Sequence, residues 1–256
     1  MANLDFIWQE LAERVISRLD YIKLSPNKIL DCGSGLGFDR GLLVNKFPQA
    51  KIIELDIALD ILKLHNLPKK GLLTKIFQTS NQRSLICGNA KFLPIANTSI
   101  EFLYANLLLP FIDDVPAFIR EARRVLSLGG AFCLSGLGVD SFKELRSLGL
   151  TTYRFPDMHD IGDMLIDAGF SNPVVDTEYI TLDYDDLTTM IKDIQLVGCG
   201  EASNQQNKVK RDTWLALQSQ KHLPQKLTLE IFVAHGWKDQ HKLDLPAGQS
   251  IINFKK

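Results

Sequence analysis

The chain has almost no net charge, few cysteines and no long apolar run, and each shortage removes a class of function. Its 29 Lys and Arg against 30 Asp and Glu leave a formal charge of −1 at pH 7. No global field therefore steers it toward nucleic acid or a membrane surface, and a charged partner has to be met by a local patch. The four cysteines, Cys32, Cys87, Cys133 and Cys199, are too far apart for a C-x-x-C metal or redox motif. Three of them sit in or beside apolar runs, where a free thiol behaves as a small hydrophobe, and a reducing cytoplasm is the expected setting. No run approaches the roughly 20 apolar residues of a membrane span. Asp5, Glu10 and Glu13 interrupt the first apolar residues, unlike a secretory signal. There is no internal repeat and no low-complexity segment.

What is present is enough apolar sequence for a well-buried core: 256 residues, 45% of them hydrophobic and 23% charged. Leu4, Ile7, Leu11, Val15 and Leu19 recur at helical spacing over residues 3–19. Strand-like runs follow at 28–32, 51–55, 84–87 and 100–104, with helices expected over 38–47, 58–64 and 115–126. Leu128-Gly129-Gly130 is read as the stop of that last helix, before a strand over 131–135. Helices are expected at 142–147 and at 160–168, the latter ended by Gly169. Such alternation implies a mostly parallel sheet covered by helices on both faces. Two late strands, 174–182 and 227–235, suit an antiparallel closing hairpin. Between them, residues 185–226 read as a helical insertion: helices over 185–197 and 209–222 around a polar loop at 198–207. A single domain over 1–256 is expected, with the insertion near the end of the sheet where a ligand binds.

The most informative stretch is Lys28-Ile29-Leu30-Asp31-Cys32-Gly33-Ser34-Gly35-Leu36-Gly37. An apolar strand breaks into a loop with three glycines, Gly33, Gly35 and Gly37, and a helix follows. Glycine tolerates positive φ and lets a ligand approach the backbone. The loop resembles motif I of class I S-adenosylmethionine (SAM)-dependent methyltransferases. Three further positions fall at the ends of successive strands. Asp56, about 20 residues past the loop, suits ribose hydroxyls, with Asp60 a nearby decoy. Asn89 in Cys87-Gly88-Asn89-Ala90 can meet the adenine edge, with Ala90 beside it. Asn106 in Tyr104-Ala105-Asn106-Leu107 lies where the methionine end and methyl group belong. Asp31 can hold the amino end of SAM through backbone or water. Taken singly, Asp56 also reads as a helix cap, Asn89 as a turn residue and Asn106 as a strand terminator.

From about Asp5 onward the chain resembles one family more closely, the malonyl-[acyl-carrier protein] O-methyltransferases of biotin synthesis. The specific segments are Arg154-Phe155-Pro156-Asp157-Met158-His159-Asp160-Ile161-Gly162-Asp163, Ala168-Gly169-Phe170-Ser171-Asn172-Pro173 and Thr181-Leu182-Asp183-Tyr184-Asp185-Asp186-Leu187. Ser135–Arg146 and Val233–Lys238 continue the match. The resemblance implies an α/β class I SAM-methyltransferase (Rossmann-like) fold: a seven-stranded, mostly parallel sheet with an antiparallel last strand. It implies SAM as cofactor, acyl carrier protein as partner, and methylation of the free carboxylate of a malonyl thioester. A carboxylate is already ionised at neutral pH, so a cation that orients it matters more than a base. Arg154 is the candidate clamp, against a structural ion pair with Asp157 or Asp160. His159 is the second catalytic candidate, against a role capping a helix that starts at Asp160. Tyr153 and Tyr184 are weaker candidates. Docking of an acidic carrier is expected at Lys208, Lys210 and Arg211, with Arg120, Arg123 and Arg124, or Lys143 and Arg146, as other basic clusters.

The chain departs from the pattern in places. The family's aromatic and basic segment upstream of the first helix has no counterpart here, so a cover on that side is expected to be missing. Asn89 stands where Asp is usual, and Asn106-Leu107-Leu108-Leu109-Pro110-Phe111 replaces Asn-Leu-Ala-Leu-Gln-Trp. The same late segments resemble, less closely, respiratory complex I assembly factors that keep this fold. A SAM-binding paralogue without catalytic activity is the third reading.

Overall fold

In the computed structural model, residues 6–64, 83–147, 155–195 and 226–239 are described. Strands β1 (Lys28–Cys32), β2 (Lys51–Asp56), β3 (Ser84–Cys87), β4 (Ile100–Ala105), β5 (Leu126–Leu137), β6 (Ser171–Asp183) and β7 (Lys226–Lys238) join in one sheet. Their order is β3-β2-β1-β4-β5-β7-β6. The first five run parallel, and β7 lies antiparallel between β5 and β6. After β1 the chain builds outward through β2 and β3, then crosses to β4 and β5. The direction of winding thus reverses between β1 and β4, the crevice where open α/β sheets bind ligands.

The apolar alternation of the central strands places helices on both faces. Ile29, Ile52, Phe102 and Tyr104 pack with Val15 and Leu19 beside α1 (Phe6–Arg18) and with Leu43 of α2 (Asp39–Lys46). Leu30, Cys32, Leu103 and Leu134 face the other way, onto Phe118 and Ala122 of α4 (Val115–Val125) and Leu165 of α6 (Met158–Ala168). α3 (Leu59–Leu64) follows β2. Beyond the end of β5, a third cluster joins Leu107, Phe142, Leu145 of α5 (Lys143–Ser147), Phe155, and Met190 of α7 (Leu187–Ile194). Among the described residues no helix is long and apolar enough to cross a membrane.

Three local expectations need correction. Gly129 and Gly130 do not stop the helix, which ends at Val125; they lie inside β5. Pairing passes from Ile100↔Leu126 to Phe102↔Ala131, so five steps along β5 match two along β4. Gly129 takes φ +77°, and a Cβ on Gly130 would meet Ser127 O at 2.9 Å and Glu101 O at 3.0 Å. The glycines therefore serve a bulge. α6 begins at Met158 rather than Asp160, because Asp157 caps it. β6 starts before Pro173, with its register broken between Ser171 and Val174 and Asn172 at φ +47°. In the expected insertion, α7 runs over Leu187–Ile194 with Asp186 as its cap; the expected loop at 198–207 and helix at 209–222 lie outside the described residues.

Candidate functional site

The carboxyl ends of β1, β2, β3 and β4 lie side by side, and they bring Asp31, Asp56, Asn89 and Asn106 to one edge of the sheet. β1 opens into the glycine loop because its first two amides bend back: Gly33 N and Ser34 N both donate to Leu55 O, at 2.7 and 3.0 Å. Gly33, Gly35 and Gly37 take φ of +77°, +49° and +74°, in the left-handed region that favours glycine. Gly33 is also pinned by packing, since a Cβ there would lie 2.6 Å from Leu108 Cδ1. The loop after β1 and the turn after β4 therefore touch, at the point where the winding reverses.

Asp56 ties the loop down. Its Oδ2 accepts from Gly35 N at 2.9 Å and its Oδ1 from Ala58 N at 2.8 Å. Each carboxylate oxygen keeps a further acceptor position, so the turn-forming role leaves Asp56 able to accept from a ribose. Asn89 is a turn residue in this structure: its Oδ1 accepts from Lys91 N at 2.9 Å. Its amide N–H groups are thus the more available edge for a base. Ala90 packs against the main core cluster. Ile57 and Phe92, 68% and 75% exposed, add apolar surface beside these two polar groups.

Three buried acids meet behind the loop. Asp31, Asp39 and Glu54 are 1%, 8% and 0% exposed. Glu54 pairs with Arg40 at 3.0 Å and Arg83 at 3.6 Å. Asp39, the first residue of α2, accepts on Oδ1 from Tyr104 OH at 2.7 Å and Asn106 Nδ2 at 3.0 Å. Asn106 Oδ1 in turn accepts from Ser135 Oγ at 2.5 Å. Burial, then the Asp39, Glu54 and Asp56 carboxylates, pushes the Asp31 carboxyl well above the usual range, against the pull of Arg40. Burial also raises Asp39, while its bonds from Tyr104 and Asn106 hold it down. Acids stacked in this way favour an incoming cation.

Two atoms here lack a hydrogen-bond partner among the described residues: Asp31 Oδ2 and Ser34 Oγ. Buried polar groups are rarely left so. One is an acceptor on a carboxylate near the end of β1 and the other a hydroxyl three residues on, in the loop. An amino-acid end, with ammonium and carboxylate, answers both. The residues present therefore fit the methionine end of SAM.

Sequence reasoning missed Asp39, Ser34 and the Tyr104 hydroxyl. Asp39 looks like a solvated helix-start residue until α2 is packed onto the sheet. His159 is exposed, and its backbone N donates to the Asp157 cap at 2.8 Å. It therefore sits in the first turn of α6 and does not cap it. Tyr184 donates to Asp193 Oδ2 at 3.1 Å from within the third apolar cluster, which makes it a packing residue. Arg154 and Tyr153 lie outside the described residues. Cys32 and Cys133 are buried as expected of small hydrophobes, whereas Cys87 is exposed.

Known proteins share this fold and give the chain's family. A family model described as a methyltransferase domain matches residues 30–134, from β1 into β5. The malonyl-[acyl-carrier protein] O-methyltransferase of Methylovorus sp. (strain MP688) is 34% identical over 262 residues, covering 96% of this chain and 87% of that protein. The chain belongs to the malonyl-[acyl-carrier protein] O-methyltransferase family. Another relative of that name, from Gallionella capsiferriformans (strain ES-2), is 36% identical over 90% of this chain and 83% of its own length. Solved structures share the class I methyltransferase fold at low identity. The YcgJ protein of Bacillus subtilis has a TM-score of 0.64 at 15% identity, covering 90% of this chain and all of its own. Haemonchus contortus phosphoethanolamine N-methyltransferase 2, in complex with S-adenosyl-L-methionine, has a TM-score of 0.56 at 16% identity, covering 90% of this chain and 53% of its own.

Proposed function

We propose that this protein uses SAM to methylate the free carboxylate of a malonyl thioester carried by acyl carrier protein, an early step of biotin synthesis in the cytoplasm. The single observation that carries the reading is the end-to-end likeness to the Methylovorus enzyme, 96% of this chain against 87% of that protein. The paired orphan atoms at Asp31 and Ser34 support the cofactor. When bound, SAM supplies an electrophilic methyl group on a positively charged sulfur.

The work left to the chain is placement. The acceptor carboxylate is ionised at neutral pH, so no side chain has to remove a proton. Gly33, Gly35 and Gly37 allow close backbone approach, Asp56 accepts from the ribose, and Asn89 donates to the base. Asp31 and Ser34 hold the amino-acid end. Arg154 grips the malonyl carboxylate in its guanidinium fork and aims an oxygen at the methyl carbon, within about 3–3.5 Å for reaction. His159 is the weaker catalytic candidate, since its exposure on α6 suits contact with the carrier better than contact with the reacting atoms.

The carrier is acidic, so a basic face receives it. Two arginines of the α4 cluster are engaged otherwise: Arg124 donates to Glu121, Leu93 O and Ile95 O, and Arg123 to Gly169 O, while Arg120 is exposed. Arg146 turns back onto Ser141 O and Val139 O. These contacts favour the remaining cluster, Lys208, Lys210 and Arg211, for docking. Arg154 is tested by steady-state kinetics on malonyl-carrier protein. Arg154→Ala is expected to lose the turnover and keep the SAM affinity; unchanged turnover would remove the clamp.

A further inference from the structure

Asp39 is an unusual residue to bury. A carboxylate taken out of water is costly unless bonded, and this one sits beside a second buried acid, Asp31. What it holds is specific. Its Oδ1 receives both Tyr104 OH and Asn106 Nδ2, at 2.7 and 3.0 Å. The other end of the Asn106 amide is fixed by Ser135 Oγ at 2.5 Å, and Ser135 O accepts from Leu107 N at 3.1 Å. The amide is thus gripped from α2 on one side and β5 on the other.

The next residue is strained. Leu107 has φ +52°, a region costly for a residue with a branched side chain and kept only where the surroundings over-determine it. That turn sends Leu108 against the glycine loop, to within 2.6 Å of where a Gly33 Cβ would be. The two loops bounding the cofactor cleft are therefore set against each other by a chain that runs Asp39–Asn106–Ser135.

We propose that Asp39 is a positioning residue: through Asn106 it holds the strained 106–108 turn against the glycine loop and so shapes the SAM cleft. This rests on the SAM-dependent reading above. It also reassigns Asn106, whose side chain is spent on the turn. A hydrogen-bond acceptor at position 39 is what the geometry requires, so Asn serves there and Leu does not.

The test is SAM affinity of the whole apo protein by titration calorimetry, with melting temperature alongside, for Asp39→Asn, Asp39→Leu, Asn106→Ala and the Asp39→Leu/Asn106→Ala double variant. Asp39→Leu is expected to weaken SAM about tenfold, a coupling of the size seen between residues sharing one network. Asp39→Asn restores most of that affinity. Once Asn106 is Ala, the further change at position 39 costs little. SAM affinity equal to wild type in Asp39→Leu, purely multiplicative effects in the double variant, or Asn behaving as badly as Leu would overturn the proposal. Should Asp39→Leu fail to fold, Ser135→Ala loosens the other end of the amide and is expected to weaken SAM several-fold; no change there overturns it too. Because the readout is SAM binding, absence of methyl transfer to malonyl-carrier protein in the wild type would count against the proposed reaction and leave this result standing.

Discussion

Replacing Gly33 by Ala bears on the glycine loop directly, and its cost follows from two features of the structure. At φ +77° an alanine sits in the left-handed region, at about 1–2 kcal/mol. Its Cβ would lie 2.6 Å from Leu108 Cδ1 and 3.3 Å from Leu108 Cγ, and overpacking of this kind costs about 1–3 kcal/mol. Leu108 Cδ1 is the free end of a flexible side chain, so the lower part of that range applies. The sum, about 2–4 kcal/mol, corresponds to a melting temperature lower by roughly 4–16 °C in a protein of this size. SAM affinity should fall with it, because Leu108 is pushed away from the loop. Gly41 is the internal control. It lies within α2, and a Cβ added there would meet nothing within 4 Å, so Gly41→Ala should stabilise by about 0.5–1 kcal/mol and leave SAM affinity alone. Thermal melts with and without SAM, with calorimetric titration, measure both. Gly33→Ala melting with the wild type, or the two variants shifting in the same direction, would refute the reasoning.

Other outcomes follow from the same structure. The Asp31 carboxyl is raised by burial and neighbouring acids. As pH climbs from the ordinary carboxylate range toward that raised value, the unfolded chain gives up its proton first, and Asp31 contributes progressively less to apo stability. An ammonium beside Asp31 reverses the shift, so SAM binding in that window should release protons, measurable by calorimetry in buffers of different ionisation enthalpy. Asp31→Asn should abolish its share, and binding with no proton release at any pH in that window would contradict the placement. Asp157→Ala removes the α6 cap and should lower stability by about 1 kcal/mol in chemical denaturation, with SAM affinity unchanged. Reversing Lys208, Lys210 and Arg211 to Glu should raise the KM for carrier-bound substrate and spare SAM binding; unchanged kinetics would move docking elsewhere.

The parallel core of the fold was legible because β1, β2 and β4 are short apolar runs that end in turn or acidic residues, which periodicity reads well. The four strand-end positions were legible for the same reason: strand ends are where the chain must turn. The Gly129–Gly130 pair misled because a glycine pair after a helix reads as a stop, and only the pairing of β5 with β4 shows a bulge. The cap at Asp157 was out of reach because the helix reads as starting at Asp160, with His159 as its possible cap. Asp39 was illegible in principle. Its role depends on Tyr104, Asn106 and Ser135, which come from two other elements, and no local pattern marks a residue whose partners are 65 and 67 positions away.

The most direct measurement is the intact mass of malonyl-acyl carrier protein after incubation with this protein and SAM, followed by fragmentation to locate any gain. One added methyl group is expected, on the malonyl carboxylate, and none on a carrier bearing an acetyl thioester. An unmodified malonyl carrier, from protein shown by calorimetry to bind SAM, would contradict the proposed reaction.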